Sequence, residues 1–140
     1  MVAYNKFYNF VQDIAQGVHH LQSDALTYAL CPSTSPPVAT NSVLANITQV
    51  ANYTNLSPRV PTITSCVQTG GLLKLILANL TLTQSVTAQT QGFEFVVLYN
   101  ATPGAGPLIS WWDYGSSVTL QINDTFAIQP DQVNGILQIQ

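Results

Sequence analysis

Charge is what this chain has least of: 140 residues carry three basic and six acidic side chains. That is 6% charged, where a soluble domain ordinarily devotes about a quarter of its residues to charge. A charged coat keeps a free-standing protein soluble and apart from its neighbours. A chain without one reads as a building block whose surface is meant to be covered. The three cations, Lys6, Arg59 and Lys74, are too few to neutralise the row of phosphates in an ordinary nucleic-acid site, so no nucleic-acid partner is expected. Long apolar runs are missing too. The stretch from Leu72 to Ala78, interrupted by Lys74, falls far short of the ~18 residues that span a bilayer, and no membrane partner is expected. Met1-Val2-Ala3-Tyr4 offers neither a basic n-region nor an apolar h-region, so the expectation is a chain made in a cytoplasm without a secretory signal. Cys31 and Cys66 are the only cysteines, and in a reducing compartment they are expected to be free thiols.

Chemistry-bearing patterns are equally thin. His19 and His20 are adjacent; on a helix they point about 100° apart and do not readily share one ion. One imidazole packing at a helix end and the other in solvent is the expected arrangement. Glu94, Asp113 and Asp124 could supply a glycosidase pair, but each also suits a turn, edge or surface position. There is no G-x-S-x-G elbow, and Gly104-Ala105-Gly106, flanked by Pro103 and Pro107, reads as a hairpin loop. No catalytic, cofactor or metal site is expected, and the chain is not read as an enzyme.

What is abundant is neutral polarity: 15 Thr, 10 Ser and 10 Asn accompany a hydrophobic content of 46%. Six Asn-x-Ser/Thr sequons, at Asn46, Asn52, Asn55, Asn79, Asn100 and Asn123, follow from that composition. The length fits a single domain over residues 1–140. Tyr4, Phe7, Val11, Ile14, Val18 and Leu21 recur at three- and four-residue steps, which predicts an amphipathic helix over 4–21. Gly17 weakens its last turn and Ser23-Asp24 ends it. Residues 25–140 then form a β-rich core. Strands are predicted at 25–30, 60–67, 72–83, 93–99, 108–112, 117–122, 126–129 and 136–139, with a short helical turn over 43–47 capped by Asn41 or Ser42. The fold class is α+β, mainly antiparallel β, as a sandwich-like domain with the helix packed across it.

The densest local pattern is Pro107 through Leu120, containing Trp111-Trp112-Asp113-Tyr114-Gly115. Neighbours on a strand face opposite ways, so one tryptophan belongs to the core and the other to an outer surface. By parity Leu108, Ser110 and Trp112 share the inward face, with Ile109 and Trp111 opposite; Asp113-Tyr114-Gly115 supplies a turn. Trp111, Trp112 and Tyr114 are the candidate interface residues.

Four blocks resemble a family of small virion structural proteins of tailed phages. They are Tyr4-Asn5-Lys6-Phe7 with Phe10 to Ala15 and Gly17-Val18-His19, Pro36 to Ala45, Phe95 to Asn100, and Pro107 to Ser116. The resemblance lies in block order along nearly the whole chain. The chain departs from the pattern by having fewer acids and glycines between Asn46 and Arg59, and by carrying Cys31 and Cys66. The resemblance implies a capsid cement (decoration) protein on the outer capsid surface of the virion. Its partners would be the major capsid protein lattice and itself, as a homo-oligomer with a trimer as the expected form. A tail or baseplate component and a receptor- or carbohydrate-binding module are the alternatives.

Overall fold

The computed structural model describes residues 2–51, 55–88 and 91–140; the sequon at Asn52 lies outside them. Among the described residues, the chain runs β1 (Tyr4–Lys6), α1 (Asn9–Ala15), β2 (Leu26–Cys31), a 3-10 turn (Leu44–Asn46), β3 (Leu56–Ser57), β4 (Ile63–Thr69) and β5 (Leu72–Leu77). It continues through β6 (Leu80–Gln84), β7 (Phe93–Asn100), β8 (Leu108–Val118), β9 (Thr125–Ile128) and β10 (Leu137–Ile139). The strands pair antiparallel in three sheets, ordered β1-β8-β7-β2, β10-β5-β4 and β3-β6-β9. The protein is thus mainly antiparallel β with one short helix.

The helix expected over 4–21 is confined to Asn9–Ala15. Tyr4, Asn5 and Lys6 instead pair with Trp112, Trp111 and Ser110. Tyr, Asn and Phe are weak helix formers, and an aromatic-rich segment beside an open sheet edge gains more from the ladder. At the other end Gly17 takes a left-handed conformation, φ 70°, and the chain turns away. The apolar stripe therefore divides. Phe7 and Phe10 are buried, whereas Val11 points to solvent at 54% exposure.

The strand expected over 72–83 is two strands. β5 pairs with β4 and β10, β6 with β3 and β9, and the chain changes sheets at Ala78-Asn79. Conversely, the strands expected at 108–112 and 117–122 are joined. β8 runs on to Val118, so Gly115-Ser116 does not separate two elements.

The four-stranded sheet is covered on both faces, and β2 is buried at all six positions. One face contributes Tyr28, Leu30, Val96, Leu98 and Ile109 to the main core, where they meet Leu75 and Leu77 of β5, Leu82 of β6 and Leu137 of β10. The other face carries a smaller cluster of Phe7, Ala29, Cys31, Val97, Tyr99 and Leu108, closed by Leu44, Ile47 and Trp111. The 3-10 turn is held over this second face by Leu44 N–H to the Gly106 carbonyl, 2.9 Å, and Leu108 N–H to the Ser42 carbonyl, 2.9 Å. Gly106 has φ 64°, and a Cβ there would lie 2.9 Å from the Leu44 Cβ, so the close approach needs glycine.

Candidate functional site

The tryptophan strand positions the site. β8 holds Trp112 opposite Tyr4 on one side and Val96 on the other, so these three form a row across the main-core face of the sheet. The chain from Phe126 to Ile136 stands across from that row, and a cleft of about 400 Å³ opens between them. Small-molecule sites commonly occupy ~300–1,000 Å³. Tyr4 meets Trp112 edge-on with centroids 5.8 Å apart, and Tyr114 meets Phe126 the same way at 5.3 Å. Such T-shaped contacts fix ring positions through their quadrupoles, so the aromatic lining is held by its own packing. Tyr114 reaches the cleft because β8 carries several extra residues between its pairings at Asp113 and Val118. Gly115, φ 85°, donates its N–H to the Asp113 carboxylate at 2.7 Å within that excursion.

Two groups give the cleft its chemical character. The Tyr28 side chain lies against it fully buried, and among the described residues its hydroxyl has no hydrogen-bond partner. Burial raises the phenol well above its ordinary range, so it stays protonated, able both to donate and to accept. Asp131, the one charged residue lining the cleft among the described residues, is already engaged in a turn. It accepts from Asn134 N–H and Val133 N–H, each at 2.8 Å, and from the Asn134 amide at 2.9 Å. Those bonds, first the Asn134 N–H, hold its carboxyl below the usual range. Beside the cleft, burial pushes the Tyr4 phenol up to about 12, a rise softened by the neighbouring Ser110 hydroxyl. The Ser110 Oγ is itself buried and, among the described residues, has no partner of hydrogen-bonding geometry.

Of the residues singled out from sequence, Trp112 and Tyr114 come together here and Trp111 does not. Trp111 lies on the opposite face against Phe7, with centroids 4.5 Å apart. Both tryptophans are half-buried, so neither is the bare outward anchor expected. The parity argument also needs correction. Leu98 pairs with Ser110 but Tyr99 pairs with Leu108, a bulge that absorbs Ile109. The extra residue re-phases the strand, placing Ile109 with Trp112 on the main core and Leu108 with Trp111 on the second face. Tyr4, Tyr28 and Phe126 are site residues that sequence reasoning missed. Their aromatic character was visible, but the strand pairing and sheet packing that gather them were not.

A second polar constellation lies at the N-terminal segment. Asp13 and His19, both buried, face each other with Oδ2 and Nε2 3.8 Å apart. Asn9 donates to Asp13 at 2.8 Å, and the Asn100 amide donates to Asp24 while facing His19 Nδ1 at 3.2 Å. Asn100 Oδ1 accepts from Thr102 N–H at 3.0 Å. With that oxygen committed, the amide nitrogen is the atom turned to the carboxylate, and His19 Nδ1 must accept. The imidazole proton then sits on Nε2, toward Asp13. Burial lowers the His19 pKa against the opposing pull of Asp13 and Asp24, so the ring is neutral. The Asp24 carboxylate also accepts from the His20 backbone N–H at 2.7 Å. The His19 side chain is fully buried while that of His20 is 68% exposed, matching the arrangement expected for the pair. With no exposed atom on the ring, this constellation acts as a clamp. It ties the segment bearing Phe7 and Phe10 to the end of β7 through the Phe10–His19 ring contact, centroids 5.3 Å apart, because Asp13 Oδ2 and His19 Nε2 stand too far apart to hydrogen-bond.

Both thiols are free, Cys31 buried and Cys66 half-buried. Among the described residues no group of three or more His, Cys, Asp or Glu is placed to hold a metal ion, and no helix is long and apolar enough to cross a membrane. No family model, curated protein or solved structure matches this chain.

Proposed function

We propose that this chain is a non-enzymatic phage virion structural protein, a cement protein that binds the assembled capsid lattice and stabilises it. In this reading its three sheets form a sandwich-like body, and copies associate on the outer capsid surface as a homo-oligomer, with a trimer as the simplest form. The observation that carries the reading is the surface. Nine formal charges are spread over the chain, and Val38, Val60, Val67, Val86 and Val133 are all exposed. Hydroxyls, amides and aliphatic groups can be covered by a neighbour without the desolvation penalty of a buried charge. A protein that touches several capsid subunits only when they are correctly placed stabilises the assembled state by mass action. Repetition on a symmetric lattice multiplies modest contacts through avidity.

The test is particle binding. The purified protein is mixed with heads and with tails prepared separately, and each is sedimented and imaged. The reading requires saturable attachment to heads and a raised head-disruption temperature. Attachment to tails alone, or to neither, overturns it.

A further inference from the structure

We propose that the free edge of β4 is a self-association surface, on which the same edge of a second copy pairs antiparallel across a two-fold axis at Val67. β4 ends the β10-β5-β4 sheet, and Ser65 to Thr69 pair with β5 on one side only. Gly70 and Gly71 take φ 61° and 87°, the type I′ turn of a two-residue hairpin loop, so Thr69 and Leu72 are a hydrogen-bonded pair. From there the ladder alternates. Thr69, Val67 and Ser65 bond to β5, while the N–H and C=O of Gln68 and Cys66 point out of the sheet. Among the described residues, no backbone hydrogen bond from another segment meets those outward groups.

The other edges are short or covered. Along β2, Tyr28 N–H donates to the Arg59 carbonyl at 2.9 Å and Val50 N–H to the Leu30 carbonyl at 3.0 Å. β1, β3, β9 and β10 have three, two, four and three residues, and β1 carries Lys6. Shortness, charge, proline or a covering segment is what ordinarily keeps a strand edge from pairing with another chain. β4 has seven residues, none charged and none proline. Its one irregularity, the extra Thr64 between Ile63 and Ser65, lies at the end away from the turn. Lys74, opposite Val67 on β5, has its ammonium donating to the Val133 carbonyl at 3.3 Å.

The occupant follows from symmetry. A two-fold axis sets each outward N–H of such an edge against an outward C=O of its copy, so the edge is complementary to itself. With the axis at Val67, Cys66 bonds Gln68 of the second copy, Ser65 faces its Thr69, and Val67 faces its Val67. An axis at Cys66 would bring the bulged Thr64 into the ladder, and one at Gln68 would bring in Gly70 of the turn. Val67 is 59% exposed, and the pairing covers it with a second β-branched side chain. This contact closes at two copies, so it is separate from the three-fold association proposed above.

The experiment is cysteine cross-linking of the full chain, each variant in a Cys66→Ala background. Val67→Cys places two thiols on the axis, within the ~7 Å Cα separation that a disulfide spans. Two copies of Ser65 stand roughly 13 Å apart along the strands, as do two copies of Thr69. Under mild oxidation Val67→Cys should therefore form a covalent dimer about tenfold faster than Ser65→Cys or Thr69→Cys alone, and a mixture of those two should yield the mixed dimer. In sedimentation, Val67→Lys should keep the wild-type melting temperature and weaken association about tenfold, because like charges then meet across the axis. Equal cross-linking rates for the three single variants overturn the proposal. So does a wild-type chain that stays monomeric through the upper micromolar range. A trimer indifferent to Val67→Lys would overturn it too, while leaving the virion reading standing.

Discussion

Trp111 and Trp112 are adjacent in the chain yet sit on two faces of one sheet that are finished in different ways. The Trp111 face is closed: Phe7 comes from below the edge, the 3-10 turn lies over it, and Leu108, Val97 and Cys31 fill the interior. The Trp112 face begins in the main core and ends in an open cleft lined by aromatic rings. One face is therefore finished by the chain itself, and the other leaves room for something else. Half-burial alone does not distinguish these two residues; what each ring touches does.

The largest test of that contrast is truncation on the closed face. Phe7 is fully buried against Trp111, so Phe7→Ala should cost about 3–5 kcal/mol, the usual loss for a core phenylalanine. Trp111→Ala should follow at about 2–3 kcal/mol, because it removes the other half of the same contact from a half-buried position. Trp112→Ala should cost less, about 1–2 kcal/mol, since part of its surface already faces the cleft. Urea unfolding of the three variants measures the order. If Trp112→Ala destabilises more than Trp111→Ala, the cleft face is the tighter of the two and the comparison is reversed.

The sequence exposed some of this and hid the rest for identifiable reasons. β2, β7 and the start of β8 were legible because Leu26 to Leu30, Phe93 to Tyr99 and Leu108 to Trp112 are apolar, β-branched or aromatic runs bounded by turn residues. The same signal failed at Tyr4–Lys6. Three residues carry no period, and their spacing to Phe7 and Val11 imitated a helix. The opposed tryptophans followed from strand geometry, but their assignment to faces depended on a bulge that consumes Ile109, and nothing local announces it. The cleft was out of reach for a different reason. Tyr4, Tyr28, Trp112 and Phe126 lie on four strands of two sheets, and only the sheet order together with the packing of one sheet against the other brings them together. The clamp was half visible: one imidazole inward and the other in solvent was expected, though not which, while Asn100, 81 residues from His19, was not.

The clamp provides an intermediate test, because it anchors the segment that supplies Phe7 to the closed face. Burial first, opposed by Asp13 and Asp24, sets the folded His19 pKa below its ordinary 6.5. The unfolded chain therefore takes up a proton that the folded one refuses. Its contribution is fully present above pH 6.5 and is lost as pH falls from there toward the folded value. Asp24 acts further down. Burial alone would raise its carboxyl, but the His20 N–H and the Asn100 amide outweigh that and hold it below 3.8. Its contribution is present above that value and is lost as pH falls through the lower folded pKa. Urea midpoints measured against pH should thus fall in two stages, and His19→Gln should abolish the first while keeping the second. A midpoint that stays level from about pH 7 to pH 5 in the wild-type chain would mean that the imidazole is not held neutral by the fold.

The smallest effect is read in reactivity. Cys31 ends β2 inside the closed face, and burial pushes its thiol up to about 12. At pH 7 its thiolate fraction is then on the order of 10⁻⁵, before any allowance for the protein covering it. Cys66 sits half-buried on β4, in a different sheet, and burial raises its thiol as well. Because the thiolate is the reactive form, iodoacetamide should modify Cys66 in the folded protein and leave Cys31 intact. Reductant should leave the melting temperature unchanged, since the two thiols are unpaired. Cys31 then reports on the closed face without altering it. Its modification requires that face to open, so the rate should rise in Phe7→Ala, where opening is easier, while Cys66 keeps its own rate. Trp112→Ala should leave Cys31 comparatively protected, because it removes a ring from the opposite side of the sheet. Equal labelling of the two cysteines in the wild-type protein would show that the Trp111 face is no more closed than the other, and the distinction between the faces would fail at its most sensitive probe.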